Sequence, residues 1–199
     1  MKSRKPRRPY RQAARADAAE ETARRIALAF HDCVRDRWFD EVTLEEVARR
    51  AGVTVRTVLR RFGGKAGLVA GVVEYVAPDI RDQRKVAPGD IDGAIDRVLA
   101  LYEDIGDGVI RNLAQEPRHP ALKPLIDGGR RGHREITTAT FAPLLERLNS
   151  KDHRRAIDAL IIATDIYTWK LLRRDMGQSL SETKAVMRLL IDGVLRRRS

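Results

Sequence analysis

Residues 43–68, TLEEVARRAGVTVRTVLRRFGGKAGL, carry the clearest local pattern in this chain. Thr43 lies three residues before Glu46, a spacing at which a hydroxyl and a carboxylate cap each other's backbone N–H groups at a helix start. The apolar residues that follow at helical spacing are Leu44, Val47, Ala48 and Ala51. Gly52 can take the positive φ with which a helix commonly ends. The pattern predicts a short helix that stops in a tight turn.

A second short helix is predicted directly after this turn, with Thr54 as its cap. Its apolar residues are Val55, Val58, Leu59 and Phe62, and its other side chains include Arg56, Thr57, Arg60 and Arg61. A helix with a basic, hydroxyl-bearing outer face fits the second member of a helix-turn-helix that enters the DNA major groove.

From about Ala18 to Val76 the chain resembles the amino-terminal domain of the tetracycline-repressor (TetR) family. The resemblance is carried by Phe39, Val42, Thr43, Leu44, Val47, Ala48, Ala51, Gly52, Val53, Thr54, Arg56, Thr57, Val58, Arg61, Phe62, Gly64, Lys65 and Leu68. It implies a transcriptional regulator with a second, helical domain that binds a small molecule and dimerises. Leu59 departs from the family, which usually has an aromatic residue there whose hydroxyl touches a DNA phosphate.

Composition favours an all-α protein. The chain has 199 residues, 43% of them hydrophobic but only 5% aromatic, so its core is built mostly from aliphatic side chains. No period-two run predicts a strand, and the helical segments number about nine. Four histidines and one cysteine lack metal-ligand spacing, and no serine elbow, P-loop or glycine fingerprint is present. We therefore expect neither an enzyme nor a cofactor or metal.

The charge is concentrated at the amino terminus. The net charge is +11, and residues 1–15 contain no acidic residue. The basic residues in this segment are Lys2, Arg4, Lys5, Arg7, Arg8, Arg11 and Arg15. Residues 1–16 are predicted to be a disordered arm that follows phosphates or lies in the minor groove. A solubilising or RNA-binding tail is the alternative.

Three further features predict the cellular location and the domain boundaries. Cys33 lies on the apolar side of the first helix and is expected to pack in a core. No apolar run reaches the ~20 residues needed to cross a membrane, and no signal segment follows the basic start, so a cytoplasmic location is expected. The predicted domains are residues 17–77, which bind DNA, a linker at 78–90, and a helical domain at 91–199.

The last two predicted helices, 152–175 and 180–197, are apolar on more than one side. A helix of this kind must be covered on more than one side. A homodimer through these two helices would cover them, whereas two central helices of a monomeric bundle are the alternative. The resemblance to TetR proteins favours the dimer, which would hold two recognition helices about 34 Å apart on a palindromic operator.

Each predicted DNA contact has a role. Thr43 and Lys65 lie at helix starts that favour a phosphate, and Thr54 combines capping with a phosphate contact. Arg56 and Thr57 are predicted to reach base edges. Arg60 and Arg61 are predicted to contact the DNA backbone, where they compensate for Leu59. A solvated surface charge is the alternative for any single arginine.

The resemblance also implies an effector pocket. Its candidate polar residues are Tyr102, Asn112, His133, Asp165 and Trp169. Asp165 either meets a cationic ligand or pairs with an arginine across the dimer. His133 follows two arginines and is expected at the surface, and Trp169 is expected in the core.

The sequence thus predicts a repressor that a small-molecule effector releases from double-stranded DNA. An activator or architectural protein of the same fold without an effector is the alternative.

Overall fold

The computed structural model describes residues 8–146 and 148–196, with side chains from Arg15 onward. These residues form helices and turns and no strand, which confirms the all-α prediction. Eight α-helices have eight residues or more, close to the number expected. The chain divides into two compact units between Val76 and Ala77. No described helix is long and apolar enough to cross a membrane.

The first unit contains four helices: α1 (Arg8–Asp36), α2 (Leu44–Ala51), α3 (Val55–Phe62) and α4 (Lys65–Tyr75). Helix α1 packs against both α2 and α4. Cys33 is fully buried in this core, as predicted, and burial raises the pKa of its thiol. The Phe30 and Phe39 rings meet edge to face with centroids 6.4 Å apart.

The second unit contains six α-helical segments: α5 (Ala77–Gln83), α6 (Ile91–Gln115), α7 (Lys123–Leu145), α8 (Ser150–Ala163), α9 (Ile166–Lys170) and α10 (Leu180–Arg196). A π-helical turn, Leu171–Asp175, continues α9. Helix α6 packs against α9 and α10, and α8 packs against α7 and α10.

Trp169 forms the centre of the second core. Its side chain is fully buried, and a Cβ on Gly106 would lie only 2.6 Å from its ring, so α6 can approach only because it has a glycine there. The indole N–H donates to Glu103 Oε1 at 2.7 Å, and Arg173 Nε donates to the same oxygen at 2.8 Å. The Arg173 guanidinium lowers the pKa of Glu103 to about 2.

The helix boundaries differ from the predicted ones in three places. Helix α1 begins at Arg8, so residues 8–16 are helical and only residues 1–7 of the predicted arm lie outside the described residues. Residues 78–83, expected to begin a linker, belong to α5. The predicted helix 152–175 breaks at Thr164 and Asp165, because the Asp165 carboxylate accepts from Tyr167 N at 2.9 Å and starts α9.

Candidate nucleic-acid interface

Local capping fixes the start and end of α2. Thr43 Oγ1 accepts from the backbone N–H of Glu46 at 3.1 Å. At the other end Gly52 has φ 64°, and its N–H and that of Val53 bond back to carbonyls of the last turn. A side chain at Gly52 would be strained in this conformation. The first half of the predicted motif is therefore set by sequence-local chemistry.

The start of α3 is fixed in the same way. Thr54 Oγ1 accepts from Thr57 N at 3.2 Å and lies 3.0 Å from Thr57 Oγ1. Val58 is fully buried beneath the helix. Because Val58 anchors the inner side, the side chains at positions 56 and 60 lie on the exposed part of α3.

A close backbone approach between α3 and α4 fixes the carboxyl end of α3. A Cβ on Gly67 would lie 1.7 Å from the carbonyl oxygen of Phe62, so only glycine fits there. The Phe62 ring lies against Gly71, where a Cβ would come within 2.6 Å of it. Both ends of α3 are thus held by the unit's own packing, which presents a rigid outer face.

The arginines of α2 are paired within the first unit. Glu46 receives Arg49 Nη2 at 2.9 Å and Arg50 Nε at 2.8 Å, and these hydrogen bonds lower the pKa of its carboxyl. Arg50 also lies 3.5 Å from Asp36. The Glu46 carboxylate, which the capping-box pattern assigned to the helix start, therefore binds these two arginines.

Helix α3 contains no acidic residue, and two of its arginines are unpaired within the described ranges. Arg56 and Arg60 are exposed, and neither takes part in a hydrogen bond or ion pair with any residue in the described ranges. A guanidinium with five free donors is suited to bidentate contacts with guanine or phosphate. The two side chains lie one turn apart on the same exposed face of α3.

Two other residues predicted to contact DNA already form hydrogen bonds within the unit. Arg61 donates to the carbonyl of Ala19 on α1. Lys65 Nζ donates to the carbonyls of Phe39 at 2.7 Å and Asp40 at 3.2 Å, and lies 5.0 Å from the centroid of the Phe39 ring. These bonds tie α3 and α4 to the rest of the unit, so a phosphate would have to share or displace them.

Leu59 is 44% exposed, beside the two free arginines. Its side chain offers no hydrogen-bond donor. Trp38, which precedes the short 3₁₀ turn Phe39–Glu41, is 48% exposed.

In the second unit, three of the predicted effector residues lie along α6 and α9. Tyr102 is buried, its ring centroid lies 5.9 Å from that of Trp169, and its hydroxyl lies 3.4 Å from the Thr164 carbonyl. Burial raises its pKa. Asn112 is also buried, and its Oδ1 has no hydrogen-bond partner in the described part of the chain.

His133 is buried, so the surface position expected for it is wrong. It lies on the face of α7 that packs against α8, and a pair of neighbouring arginines in the sequence does not reveal which face that is. Its Nδ1 lies 2.7 Å from Arg84 Nη2 and its Nε2 lies 3.2 Å from the Ile161 carbonyl. Asp165 Oδ2 is 4.0 Å from Nε2. Desolvation, followed by the charge of Arg84, lowers the pKa of His133 to about 4.

Sequence reasoning missed Arg84, because the segment that contains it was assigned to a linker. Arg84 lines a cavity of about 10 Å³ in the second unit. Among the residues that structure describes, no group of three or more His, Cys, Asp or Glu side chains could hold a metal ion.

Comparison with known proteins shows which family this sequence resembles. Residues 34–72, which span α2, α3 and most of α4, match the model of bacterial regulatory proteins of the tetR family. An uncharacterized HTH-type transcriptional regulator of Mycobacterium tuberculosis is 31% identical over 94 residues, which cover 47% of this chain and 50% of the relative. The chain thus spans about half the length of the first curated relatives that it matches.

A longer alignment and two solved structures extend the likeness. The HTH-type transcriptional regulator AlkX of Mycobacterium tuberculosis is 25% identical over 79% of this chain and 70% of its own length. A tetR-family transcriptional regulator from Streptomyces coelicolor superposes with a TM-score of 0.70 at 16% identity, covering 90% of this chain and 88% of its own. A transcriptional regulator from Rhodococcus sp. Rha1 gives 0.66 at 16% identity, covering 88% and 96%. At these identities the structures show the shared fold alone.

Proposed function

We propose a DNA-reading function for this chain, which belongs to the tetR family of bacterial regulatory proteins. The observation that carries the proposal is the outer face of α3, where Arg56 and Arg60 are exposed and uncommitted on a helix fixed at both ends. Free cationic donors on a rigid helix suit the major groove, where a flexible or already neutralised side chain would discriminate poorly.

The contacts are divided by position. Arg56 and Thr57, in the first turn of α3, reach base edges, and Arg60 contacts the phosphate backbone. The hydroxyls of Thr43 and Thr54 lie at helix starts, where backbone N–H groups favour a phosphate. Arg61 and Lys65 contribute positive charge while keeping their bonds within the unit. Leu59 adds an apolar contact in place of the hydroxyl usual in the family.

We also propose that two copies associate through the carboxy-terminal helices. Large apolar side chains are exposed on and between α8 and α10, namely Ile162, Tyr167, Leu171, Met176, Leu180, Leu189 and Leu190. We infer that these side chains form one exposed apolar patch, and a large patch of this kind marks an interaction surface. A symmetric dimer would present two copies of α3 to the two halves of a palindrome.

The most direct mechanism is repression that a small molecule relieves. An effector that binds one conformation of the second unit better than another would shift the population of dimers away from the spacing that fits the operator. The second unit contains buried polar groups that a ligand could use, among them Asn112 Oδ1.

The small volume of the Arg84 cavity favours a second candidate. A cavity of about 10 Å³ has room for one water, whereas drug-sized ligands occupy about 300 Å³ or more. An effector would therefore have to enlarge this cavity before it could bind. A DNA-binding protein that responds to no effector needs no larger cavity, so this observation favours that function.

The test of DNA recognition is selection of duplexes from a randomised pool by the full-length chain. We expect a palindromic sequence to be enriched and to be protected as two half-sites one helical turn apart in a footprint. Enrichment of no sequence, with binding that depends only on salt concentration, would refute a sequence-specific function.

The test of the dimer is sedimentation equilibrium of a matched pair of variants. Leu189→Glu places a charge in the exposed apolar patch, and Leu28→Glu makes the same change at a half-exposed leucine of α1. We expect the first variant to sediment as a monomer and the second as a dimer. If both variants and the unmodified chain sediment alike, association does not use this patch.

A further inference from the structure

The cavity beside Arg84 has an unusual lining for the interior of a helical domain. Its walls combine one arginine and three threonines with apolar side chains: Arg84, Thr137, Thr140, Thr164, Ala94, Val98, Ile136 and Phe141. The three threonines and Phe141 are buried. The lining therefore offers one cation and three hydroxyl groups beside apolar side chains.

Arg84 carries a positive charge that no carboxylate in the described ranges neutralises directly. Its Nη2 donates to His133 Nδ1 at 2.7 Å, and its Nε is buried without a hydrogen-bond partner. No ion pair among the described residues uses it, whereas seven other arginines of this unit form ion pairs. Arg84 as a whole is half-buried, but buried polar atoms in proteins normally have a hydrogen-bond partner, so its buried Nε has an unused hydrogen bond to donate.

His133 does not supply the missing charge. Because arginine can only donate, Nδ1 must be the acceptor, and the ring proton is on Nε2, which donates to the Ile161 carbonyl at 3.2 Å. The lowered pKa of about 4 keeps this ring neutral at physiological pH. Asp165 lies 4.0 Å from Nε2, on the side of the ring away from the nitrogen that binds Arg84.

The threonines add hydroxyl groups to the same cavity. Thr164 Oγ1 already donates to the Leu160 carbonyl at 2.9 Å, so it can serve an incoming group only as an acceptor or after rotation. Thr137 and Thr140 lie on α7 one turn apart, on the wall of the cavity. A hydroxyl can donate to an anion held by the guanidinium.

We propose that this cavity binds the carboxylate of a small organic acid, with Arg84 as its ion-pair partner and Thr140 as a hydroxyl donor. A single guanidinium matches one negative charge, and the free Nε offers a charge-assisted hydrogen bond. The apolar walls at Val98 and Phe141 receive the body of the acid, and its entry enlarges this small cavity. The proposal rests on the effector function proposed above and names the chemical class of that effector.

The experiment compares acids with their own neutral amides. Full-length protein without DNA is titrated with sodium benzoate, benzamide, sodium hexanoate, hexanamide and sodium chloride, and binding is followed by calorimetry and by the thermal unfolding midpoint. We expect a carboxylate to bind and raise the midpoint, and its amide to do neither. Sodium chloride at the same ionic strength is expected to reproduce no more than a small part of the effect.

Four variants locate the binding site. Arg84→Gln should weaken carboxylate binding about tenfold or more, because it removes a charge-assisted hydrogen bond, and Arg84→Lys should retain part of it. Thr140→Val keeps the volume and the charge and should weaken binding about threefold. Arg97→Gln removes the same charge from an exposed position on α6 and should leave binding unchanged.

The possible outcomes separate this proposal from the proposed function. Equal binding of acids and amides, full activity of chloride alone, or unchanged binding in both Arg84→Gln and Thr140→Val would overturn the carboxylate assignment. If carboxylates bind through Arg84 but leave DNA affinity unchanged in a parallel gel shift, the carboxylate site is confirmed. The proposal that an effector releases the protein from DNA is then contradicted. If Arg84→Gln does not fold, Thr140→Val and Arg84→Lys decide the question alone.

Discussion

The two units of this chain treat their arginines in opposite ways. On α3, Arg56 and Arg60 point outward without a partner, although Glu46 and Asp36 of the same unit pair with the arginines of α2. In the second unit the acidic residues of α6 pair with the carboxy-terminal segment: Glu103 with Arg173, Asp107 with Arg174 and Asp92 with Arg188. One unit therefore has surface charge left for another molecule, and the other uses charge to hold its own helices.

This difference shows why the number of arginines is a poor guide to a binding site. Paired surface charges contribute little binding potential, because a new anion must first displace the existing carboxylate. Arg84 is the informative exception in the second unit, because it is the arginine there whose buried Nε lacks a partner. An unpaired donor that also lies on a recognition helix or lines a cavity, and not the total charge, indicates where a ligand binds.

The largest effect is expected from emptying the core of the second unit. Trp169→Ala should lower the free energy of unfolding by about 3–5 kcal/mol, because it leaves a large cavity and removes a donor to Glu103. Trp38→Ala, at a half-exposed tryptophan of the first unit, should cost far less. Calorimetric unfolding midpoints measure both, and similar losses would mean that Trp169 is not the centre of a packed core.

Acidification should act on the second unit through His133. Its pKa falls from 6.5 to about 4 on folding, so the unfolded chain binds more protons between these values. The stability contributed by the neutral ring is complete above pH 6.5 and is lost as the pH falls toward 4, on the order of 3 kcal/mol.

The His133→Gln variant tests this sign. Its unfolding midpoint should depend less on pH between 6.5 and 4 than that of the unmodified chain. Below about pH 4.5 both should lose further stability as Glu103 is protonated, because its folded pKa is about 2. An equal slope for both proteins in the upper window would show that another group is responsible.

Removing a helix cap is expected to have a smaller effect on stability, and only a cap in the first unit should also affect DNA binding. Thr54→Ala should cost about 1 kcal/mol of stability and also weaken DNA binding, because α3 would fray at its first turn. Asn149→Ala removes a cap from α8 at a similar cost and should leave DNA binding unchanged. Thr54→Ser keeps the hydroxyl and serves as the control. Equal DNA affinities for the two alanine variants would show that the cap of α3 does not contribute to DNA binding.

Much of the first unit could be predicted from the sequence because its signals are local. Thr43, Gly52 and Thr54 act on backbone groups two to four residues away, so the boundaries of α2 and α3 follow from neighbouring residues. The hydrogen bond of Arg61 could not be predicted, because its acceptor, the Ala19 carbonyl, lies 42 residues away in the sequence.

The second unit was harder to predict because its key contacts are distant in sequence. Asp165 was interpreted as a buried carboxylate in need of a partner, whereas the T-D pair at 164–165 is a helix stop and cap. His133 and Arg84 meet across 49 residues, and neither is distinguished by its neighbours. Helical spacing predicted that the last helix is apolar on more than one side, but not which side is buried, namely that of Met187 and Ile191.

The central claim is that unpaired arginines on α3 read DNA, and one matched pair of variants tests it most directly. Arg56→Ala and Arg49→Ala remove the same side chain from α3 and α2, and only the second is paired, with Glu46 at 2.9 Å. Affinities for the selected palindrome and for a scrambled duplex are measured by fluorescence anisotropy at fixed salt concentration. We predict that Arg56→Ala loses about 1–3 kcal/mol of discrimination between the two duplexes, and that Arg49→Ala stays within about 0.5 kcal/mol of the unmodified chain. Unchanged discrimination in Arg56→Ala, or an equal loss in both variants, would contradict the account.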